Sequence, residues 1–182
     1  MLKKITFKED HRCFKQGDTF DFRPGVNLLV GDQGCGKSTI LECVNNRKGN
    51  RKVLEIEADK MELLSFDFEM DNIRKRGSMY NDDAGMKFQL ASMFSSHGQS
   101  NLAMLSHLET VNGKLFCIDE PDMALSIRSC VKLAVMLKSS IENGNQILAS
   151  IHNPIVIRAF DEVLSLEHKC WMSSEDFFKS QM

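Results

Sequence analysis

The sequence predicts an α/β fold in which a mostly parallel sheet is flanked by helices. Short apolar segments alternate with helical patterns along the chain, which is typical of α/β domains. Several apolar segments are continuous rather than alternating, as expected for strands that helices cover on both faces. One of them runs into a glycine-rich loop that precedes a helical pattern. The predicted strands are 2–7, 19–22, 26–30, 53–57, 115–119, 146–151 and 163–166.

Four helices are expected between and after these strands. The first covers 37–45, the second 99–111 and the third 126–142, and a short fourth follows Ser173. The third helix is expected to end where Asn143-Gly144 supplies a C-terminal glycine. Its predicted apolar side consists of Ile127, Val131, Ala134, Leu137 and Ile141.

Length and composition indicate one ordinary globular domain. The chain has 182 residues, 42% of them hydrophobic and 26% charged, with a formal net charge of -2. That charge gives no general reason to expect nucleic acid or an anionic membrane as a partner. No segment reaches the ~20 apolar residues needed to span a bilayer. An integral membrane segment is therefore not expected. Six cysteines without a C-x-x-C pair suit reduced thiols, which favours a cytoplasmic protein.

The clearest motif is a glycine-rich loop that matches G-x-x-x-x-G-K-[ST] between the predicted strand 26–30 and the first helix. Glycines let the backbone turn its N–H groups toward phosphate, and the helix that follows presents its positive end. Lys37 would supply a cation for the β and γ phosphates, and Ser38 a hydroxyl for Mg²⁺. A glycine-rich turn without a ligand is the alternative. The candidate ATP-binding residues are Gly31, Asp32, Gln33, Gly34, Cys35, Gly36, Lys37, Ser38 and Thr39.

A second strand, 115–119, ends in two carboxylates followed by Pro121. Asp119 is expected to act on Mg²⁺ through the water molecules of the metal. Glu120 would point to the other side of the strand, where it could polarise the attacking water as a general base. The alternative is a strand that ends in a solvated acidic turn.

Two further segments resemble the ABC ATPase family. Ser96-His97-Gly98-Gln99, at the start of the second predicted helix, is similar to the family signature Leu-Ser-Gly-Gly-Gln. The resemblance implies that Ser96, Gly98 and Gln99 contact the γ-phosphate held by the opposite subunit's P-loop. His97 replaces a glycine of the signature, and a helix cap made by a serine is the alternative interpretation.

His152 follows the predicted strand 146–151 and resembles the ABC switch histidine, which reaches the γ-phosphate; an ordinary surface histidine is the alternative. Residues 122–126 resemble the D-loop, with Ser126 where the family has aspartate. The resemblance covers about 2–166. It looks closest to small stand-alone ABC-type ATPases, an AAA-like and SMC-related group with a variant signature such as SHGQ.

The resemblance implies a single ABC-type ATPase domain over 1–182, with a reduced helical lobe in a variable insert at about 46–98. It further implies that ATP and Mg²⁺ are held between two subunits of a head-to-tail homodimer. The catalytic residues would be Lys37, Glu120 and His152. Hydrolysis would drive a soluble process, such as DNA repair, defence or regulation, through an unidentified protein or nucleic-acid partner.

Some expected features are not visible in the sequence. No glutamine occurs between residues 33 and 89, so the Q-loop of the family has no evident counterpart; Asp67, Glu69 and Asn72 are candidates for its role. Phe14 and Phe20 are candidates for the aromatic that stacks on adenine, or else core residues.

The roles of Arg12 and of two basic segments each have two interpretations. Arg12 either lies against the adenine or a phosphate of the nucleotide, or is solvated. The basic segments 47–52 and 74–76 could contact nucleic-acid phosphates or be solvated loops.

Two other functions are compatible with a P-loop. A small-molecule kinase fits the chain length, but the sequence has no arginine-rich lid near its C-terminal third, and a kinase leaves the adjacent Asp119 and Glu120 unexplained. A non-hydrolysing, ATP-gated adaptor would account for His97 and for the missing Q-loop glutamine.

Overall fold

A computed structural model describes residues 1–45, 52–67 and 111–182. The strands in these ranges are β1 Leu2–Phe7, β2 Thr19–Asp21, β3 Val26–Val30, β4 Leu54–Ala58, β5 Glu62–Asp67, β6 Lys114–Asp119, β7 Gln146–Ser150, β8 Glu162–Ser165 and β9 Cys170–Ser173. The α-helices are α1 Lys37–Val44, α2 Ile127–Ser139, α3 Pro154–Arg158 and α4 Ser174–Ser180. A 3-10 segment, Ser140–Asn143, follows α2.

The strands form two sheets. The larger sheet has the order β5-β6-β7-β3-β8-β9, and every neighbouring pair is parallel except β8 and β9. The smaller sheet is antiparallel, with the order β2-β1-β4. A mostly parallel sheet with helices between its strands confirms the predicted α/β fold class.

Helices cover one face of the larger sheet, and α1 with the smaller sheet covers the other. Side chains of β3, β6 and β7 therefore alternate between two buried layers, which explains why these strands are continuously apolar. The layer beneath α2, α3 and α4 includes Leu28, Val30, Phe116, Ile118, Ile147 and Ala149. The layer beneath α1 and the smaller sheet includes Leu29, Leu115, Cys117, Leu148, Ile5, Phe7 and Phe20.

Gln146, at the start of β7, joins the two sheets through its buried amide. Its Oε1 accepts a hydrogen bond from the Leu2 N–H at 2.7 Å, and its Nε2 donates to the carbonyls of Leu2 at 2.8 Å and Arg23 at 2.9 Å. The side chain is only 1% exposed, so water cannot replace these partners. The amide therefore fixes the smaller sheet against the larger one.

The predicted strands are confirmed with end points that shift by no more than a residue, and the first, third and fourth predicted helices are present as α1, α2 and α4. β5, β9 and the short helix α3 were not predicted. The predicted helix 99–111 falls, apart from Val111, outside the described residues, as does most of the predicted insert at 46–98. Among the helices of the described ranges, none combines the length and the apolar character that crossing a membrane takes.

The predicted apolar side of the third helix was wrong for three of its members. Ile127 and Val131 are exposed on α2, and Ile141 is exposed in the 3-10 segment. The buried positions, spaced i, i+3, i+4 and i+7, follow the helical period more closely than the predicted set. They are Cys130, Leu133, Ala134 and Leu137.

Replacing Gln146 by leucine is expected to destabilise the fold. Gln146→Leu keeps an apolar body in place but removes the side-chain acceptor of the buried Leu2 N–H, whereas the Arg23 carbonyl keeps its hydrogen bond from Asn27 Nδ2. We expect the free energy of unfolding to fall by about 3 kcal/mol, measured by urea denaturation. The control is Gln16→Leu at an exposed position, where a change within about 0.5 kcal/mol is expected. Equal effects of the two substitutions would contradict this account of the sheet junction.

Candidate nucleotide-binding site

The predicted site residues that the structure describes meet at one edge of the larger sheet. β3, β6 and β7 are neighbours and run parallel, so their carboxyl ends open onto the same side. The glycine-rich loop follows β3, the acidic pair follows or ends β6, and His152 lies just beyond β7. Ligands of open α/β sheets bind at this edge.

The glycines of the loop adopt backbone conformations that other residues rarely take. Gly31, Gly34 and Gly36 have φ values of 139°, 87° and 105°. Gly36 also lies against the chain between β1 and β2, where a Cβ atom would come within 2.4 Å of Phe14 Cζ and 2.6 Å of Cys13 Sγ. A side chain at this position would displace the loop, so both the backbone angle and the packing require glycine.

Lys37 is held inside the loop by the loop's own carbonyls. Its Nζ donates hydrogen bonds to Gly31 O at 2.7 Å and Asp32 O at 2.9 Å, and the residue is only 5% exposed. Burial raises the pKa of the neighbouring Cys35 thiol, although the Lys37 charge opposes that shift. The thiol therefore stays neutral near pH 7 and leaves the ammonium charge available to an anion.

Ser38 and Asp119 form a short chain of oxygen atoms with Ser150 of β7. Ser38 Oγ donates to Asp119 Oδ1 at 3.1 Å, and Ser150 Oγ donates to the same oxygen at 2.5 Å. A hydroxyl beside a carboxylate fits Mg²⁺, which prefers oxygen ligands and usually keeps several water molecules. In the described part of the chain no three acidic, cysteine or histidine side chains cluster as a metal cage.

Glu120 has an unusual backbone conformation, with a φ of 49°. Its N–H donates to Ser150 Oγ at 2.8 Å, and Pro121 behind it disfavours the right-handed helical alternative. The side chain reaches His152, whose Nε2 lies 3.2 Å from Glu120 Oε1. The two candidate catalytic side chains are therefore in contact, and both are partly exposed.

Ser126, which replaces the aspartate of the D-loop pattern, is the N-cap of α2. Its side chain accepts a hydrogen bond from the Ser129 N–H at 3.3 Å, as an aspartate at this position would also do. Ala124, two residues earlier, has a φ of 58°. The turn between β6 and α2 is thus tightly wound and ends in a regular helix cap.

Arg12 and the two candidate adenine-stacking aromatics have different environments. Arg12 Nη1 donates to Thr39 Oγ1 at 3.1 Å, and its Nη2 pairs with Glu42 Oε2 at 2.8 Å, which places the guanidinium on the first turns of α1. Phe14 and Phe20 are 2% and 1% exposed, and their rings pack edge to face. Both phenylalanines are core residues, so neither offers a face to an adenine.

Part of the predicted site belongs to segments outside the described residues. Ser96, Gly98 and Gln99 lie outside the described residues, as do Glu69 and Asn72. The segment 74–76, and 47–52 except its last residue, also lie outside them. Asp67 is the last residue of β5, and its backbone pairs in register with Asp119. Sequence reasoning missed Ser150, which no motif marks.

Comparison with known proteins finds a matching family model and a relative among ATP-binding proteins. Residues 9–46 match the family described as AAA domain. The chain is 30% identical over 119 residues to the phosphate import ATP-binding protein PstB of Salinibacter ruber (strain DSM 13855 / M31), an alignment covering 63% of this chain and 44% of that protein. The chain thus spans less than half the length of this relative.

Solved structures show the same fold at low sequence identity. CbiO1 from Clostridium perfringens, part of the ABC transporter complex CbiONQ, superimposes with a TM-score of 0.60 at 15% identity, covering 99% of this chain and 92% of that one. The ADP conformation of an ATP-binding cassette of an ABC transporter gives 0.59 at 13% identity, covering 91% and 87%. The fold is that of an ABC-ATPase-like, P-loop nucleotide-binding domain.

Adding a methyl group at Gly36 is expected to weaken nucleotide binding. In Gly36→Ala the new Cβ meets Phe14 Cζ at 2.4 Å, so the loop has to move away from its phosphate-binding shape. We expect the Kd for ATP-Mg, measured by isothermal titration calorimetry, to rise by at least about 10-fold.

Gly144→Ala is the matched control for this prediction. Gly144 has a φ of 67°, but nothing lies within 4 Å of its added Cβ. It precedes β7, at the opposite end of that strand from Ser150, so the substitution introduces a similar backbone strain away from the loop and ATP affinity should be retained. Equal ATP affinities of the two variants would contradict the steric argument.

Proposed function

We propose that this protein binds ATP with Mg²⁺ and hydrolyses it in the manner of an ABC ATPase. The observation that carries the proposal is the 3.2 Å contact between Glu120 and His152, beside the Ser38–Asp119 pair and the buried Lys37. A loop that only bound nucleotide would need the lysine and the hydroxyl. The acid and the imidazole at the adjacent strand end are the groups that hydrolysis would add.

The P-loop would hold the phosphates of ATP. The N–H groups of residues 31–39 and the N-terminal end of α1 would bind phosphate oxygens. Lys37 would exchange its contacts with the Gly31 and Asp32 carbonyls for the β and γ phosphates. Ser38 and Asp119 would hold Mg²⁺, which when bound neutralises charge on the phosphate oxygens. Arg12, fixed to Thr39, would supply further positive charge at the edge of the loop.

Glu120 would act as the general base. A water molecule attacks the γ-phosphorus, its proton passes to the Glu120 carboxylate, and the bond to the β–γ bridging oxygen breaks, which gives ADP and inorganic phosphate. His152 would donate from its imidazole Nε2 to the Glu120 carboxylate, which would orient the base toward the water that attacks the γ-phosphate. Lys37 would stabilise the negative charge that develops on the phosphate oxygens.

The proposal includes a head-to-tail homodimer. Ser96, Gly98 and Gln99 of one subunit would close over the ATP bound by the other subunit, with residues 122–126 at the seam. ATP binding would then bring the subunits together, and hydrolysis would separate them. The work would serve a soluble process such as DNA repair, defence or regulation through a protein or nucleic-acid partner; that assignment rests on the family resemblance alone.

Loss of the Lys37 charge is expected to abolish turnover. In Lys37→Ala the phosphates lose their only buried cation in the described part of the site, and we expect phosphate release to fall at least about 100-fold. The measurement is a continuous phosphate assay with ATP-Mg. Lys132→Ala, at an exposed position of α2, is the control and should retain activity. Wild-type protein without turnover would contradict hydrolysis and favour an adaptor, and a phosphorylated acceptor other than water would favour a kinase.

Removal of the general base is expected to trap the dimer. In Glu120→Gln the amide cannot accept the proton of the attacking water, so ATP should remain bound and the closed state should persist. We expect the solution mass, measured by light scattering, to double on addition of ATP-Mg and to stay monomeric without nucleotide. Glu120→Gln combined with Lys37→Ala should stay monomeric in both conditions. A mass that ignores nucleotide would argue against a site shared between subunits.

A further inference from the structure

Asp122 is a buried carboxylate to which the proposed hydrolysis assigns no part in the chemical step. It lies two residues after Glu120, in the turn between β6 and α2, and is only 6% exposed. Its Oδ2 accepts hydrogen bonds from two consecutive backbone N–H groups, those of His152 at 2.8 Å and Asn153 at 2.5 Å. These contacts join the turn after β6 to the turn after β7.

The two N–H groups belong to the point where the chain leaves β7 and starts α3. Asn153 is the N-cap of α3, and its side chain accepts from the Ile155 N–H. The first N–H groups of a helix have no partner within the helix, so this turn depends on side chains for its hydrogen bonds. A charged acceptor forms stronger hydrogen bonds than a neutral one. Asp122 therefore fixes the backbone that carries the imidazole of His152.

The turn after β6, which carries Asp122, also carries Glu120. Glu120 is fixed from the other side by Ser150 of β7, which accepts from its N–H. The segments of Glu120 and His152 are thus joined by two hydrogen bonds to backbone N–H groups, from Glu120 to Ser150 and from His152 to Asp122. The side chains of Glu120 and His152 add their own contact of 3.2 Å. Together with Asp122 and Asn153 they line an open cleft with a volume of about 420 Å³.

We infer that Asp122 is a positioning residue, which holds the His152 imidazole against Glu120 by fixing the backbone at residues 152 and 153. The inference deepens the proposed ATP hydrolysis and rests on it for its kinetic consequence. Asp122 would touch neither ATP nor the attacking water. Its loss should slow the chemical step while the P-loop contacts, and with them ATP affinity, remain.

Asp122→Leu tests the inference because leucine keeps the branched shape of the side chain and removes the acceptor. We expect kcat for ATP hydrolysis to fall on the order of 10- to 100-fold, as for a catalytic group displaced by about 1 Å. KM for ATP should change by less than about 3-fold, because Lys37 and Ser38 are untouched. Asp122→Asn keeps an acceptor oxygen for both N–H groups, so it should recover most of kcat.

A second measurement reports on geometry without catalysis. Hydrogen exchange of the His152 and Asn153 amides should be much faster in Asp122→Leu than in the wild-type protein, and slow again in Asp122→Asn. The imidazole nitrogen resonances of His152 in NMR should move in the leucine variant and return toward their wild-type positions in the asparagine variant. Imidazole resonances that stay in place in Asp122→Leu would overturn the inference.

The control separates positioning from general loss of stability. Val163 is buried in β8, away from the cleft, so Val163→Ala should lower Tm and leave kcat unchanged. If both variants lost kcat alike, or if Asp122→Leu kept the wild-type kcat, the positioning role would be refuted. If the wild-type protein bound ATP without hydrolysing it, the proposed function would fail, and the imidazole resonances alone would decide the role of Asp122.

Discussion

The site depends on the Asp119 carboxylate at the end of β6. One of its oxygens accepts hydrogen bonds from Ser38 at the start of α1 and from Ser150 at the end of β7. Ser150 in turn accepts from the backbone of Glu120. Three segments that are far apart in sequence thereby share one anchor. Because a charged acceptor in a partly buried place forms strong hydrogen bonds, their relative positions at this edge of the sheet are closely defined.

This anchoring explains how the chain tolerates strained backbone beside the anchor. Glu120 and Ala124 both have positive φ values without being glycine, a conformation that costs of order 1–2 kcal/mol per residue. The hydrogen bonds of Ser150 and Asp122 and the cap at Ser126 hold the turn on both sides of these residues. The strain turns the chain sharply after β6, and the Glu120 side chain thereby faces His152.

The sequence predicted the parts of the site that depend on local spacing. The loop at 31–39 is defined by residues close in sequence, and its place between a strand and a helix could be predicted from the apolar segment before it. Glu120 and His152 were proposed separately, the first from its place beside Asp119 and the second from the family resemblance, and their contact was not predicted. That contact depends on β6 and β7 being neighbours in the sheet, which local spacing does not indicate.

The residues that the sequence did not identify depend on contacts between segments that are distant in the chain. Ser150 belongs to no motif, and the D-loop resemblance of 122–126 gives Asp122 no role of its own, because a serine or an aspartate near a strand end is common and only its partners distinguish it. The apolar side of α2 was misplaced since Ile127 and Val131 satisfy the helical period almost as well as Cys130 and Leu133 do. Phe14 could have been a stacking aromatic or a core residue, and only its packing against Phe7 and Phe20 decides between them.

The packing of Gly36 against Phe14 links the loop to the smaller sheet. Phe14 lies between β1 and β2 and stacks on Phe7 of β1 with ring centroids 4.4 Å apart. If this hairpin opens, the loop loses the surface that supports its shape. Local opening of the hairpin and of the loop should therefore share part of their free-energy cost. Any ligand that binds only the loop conformation supported by Phe14 must then also stabilise the hairpin against local opening. Ligand binding to the loop would thus stabilise the smaller sheet, which contributes no residue to the P-loop or to the acidic pair.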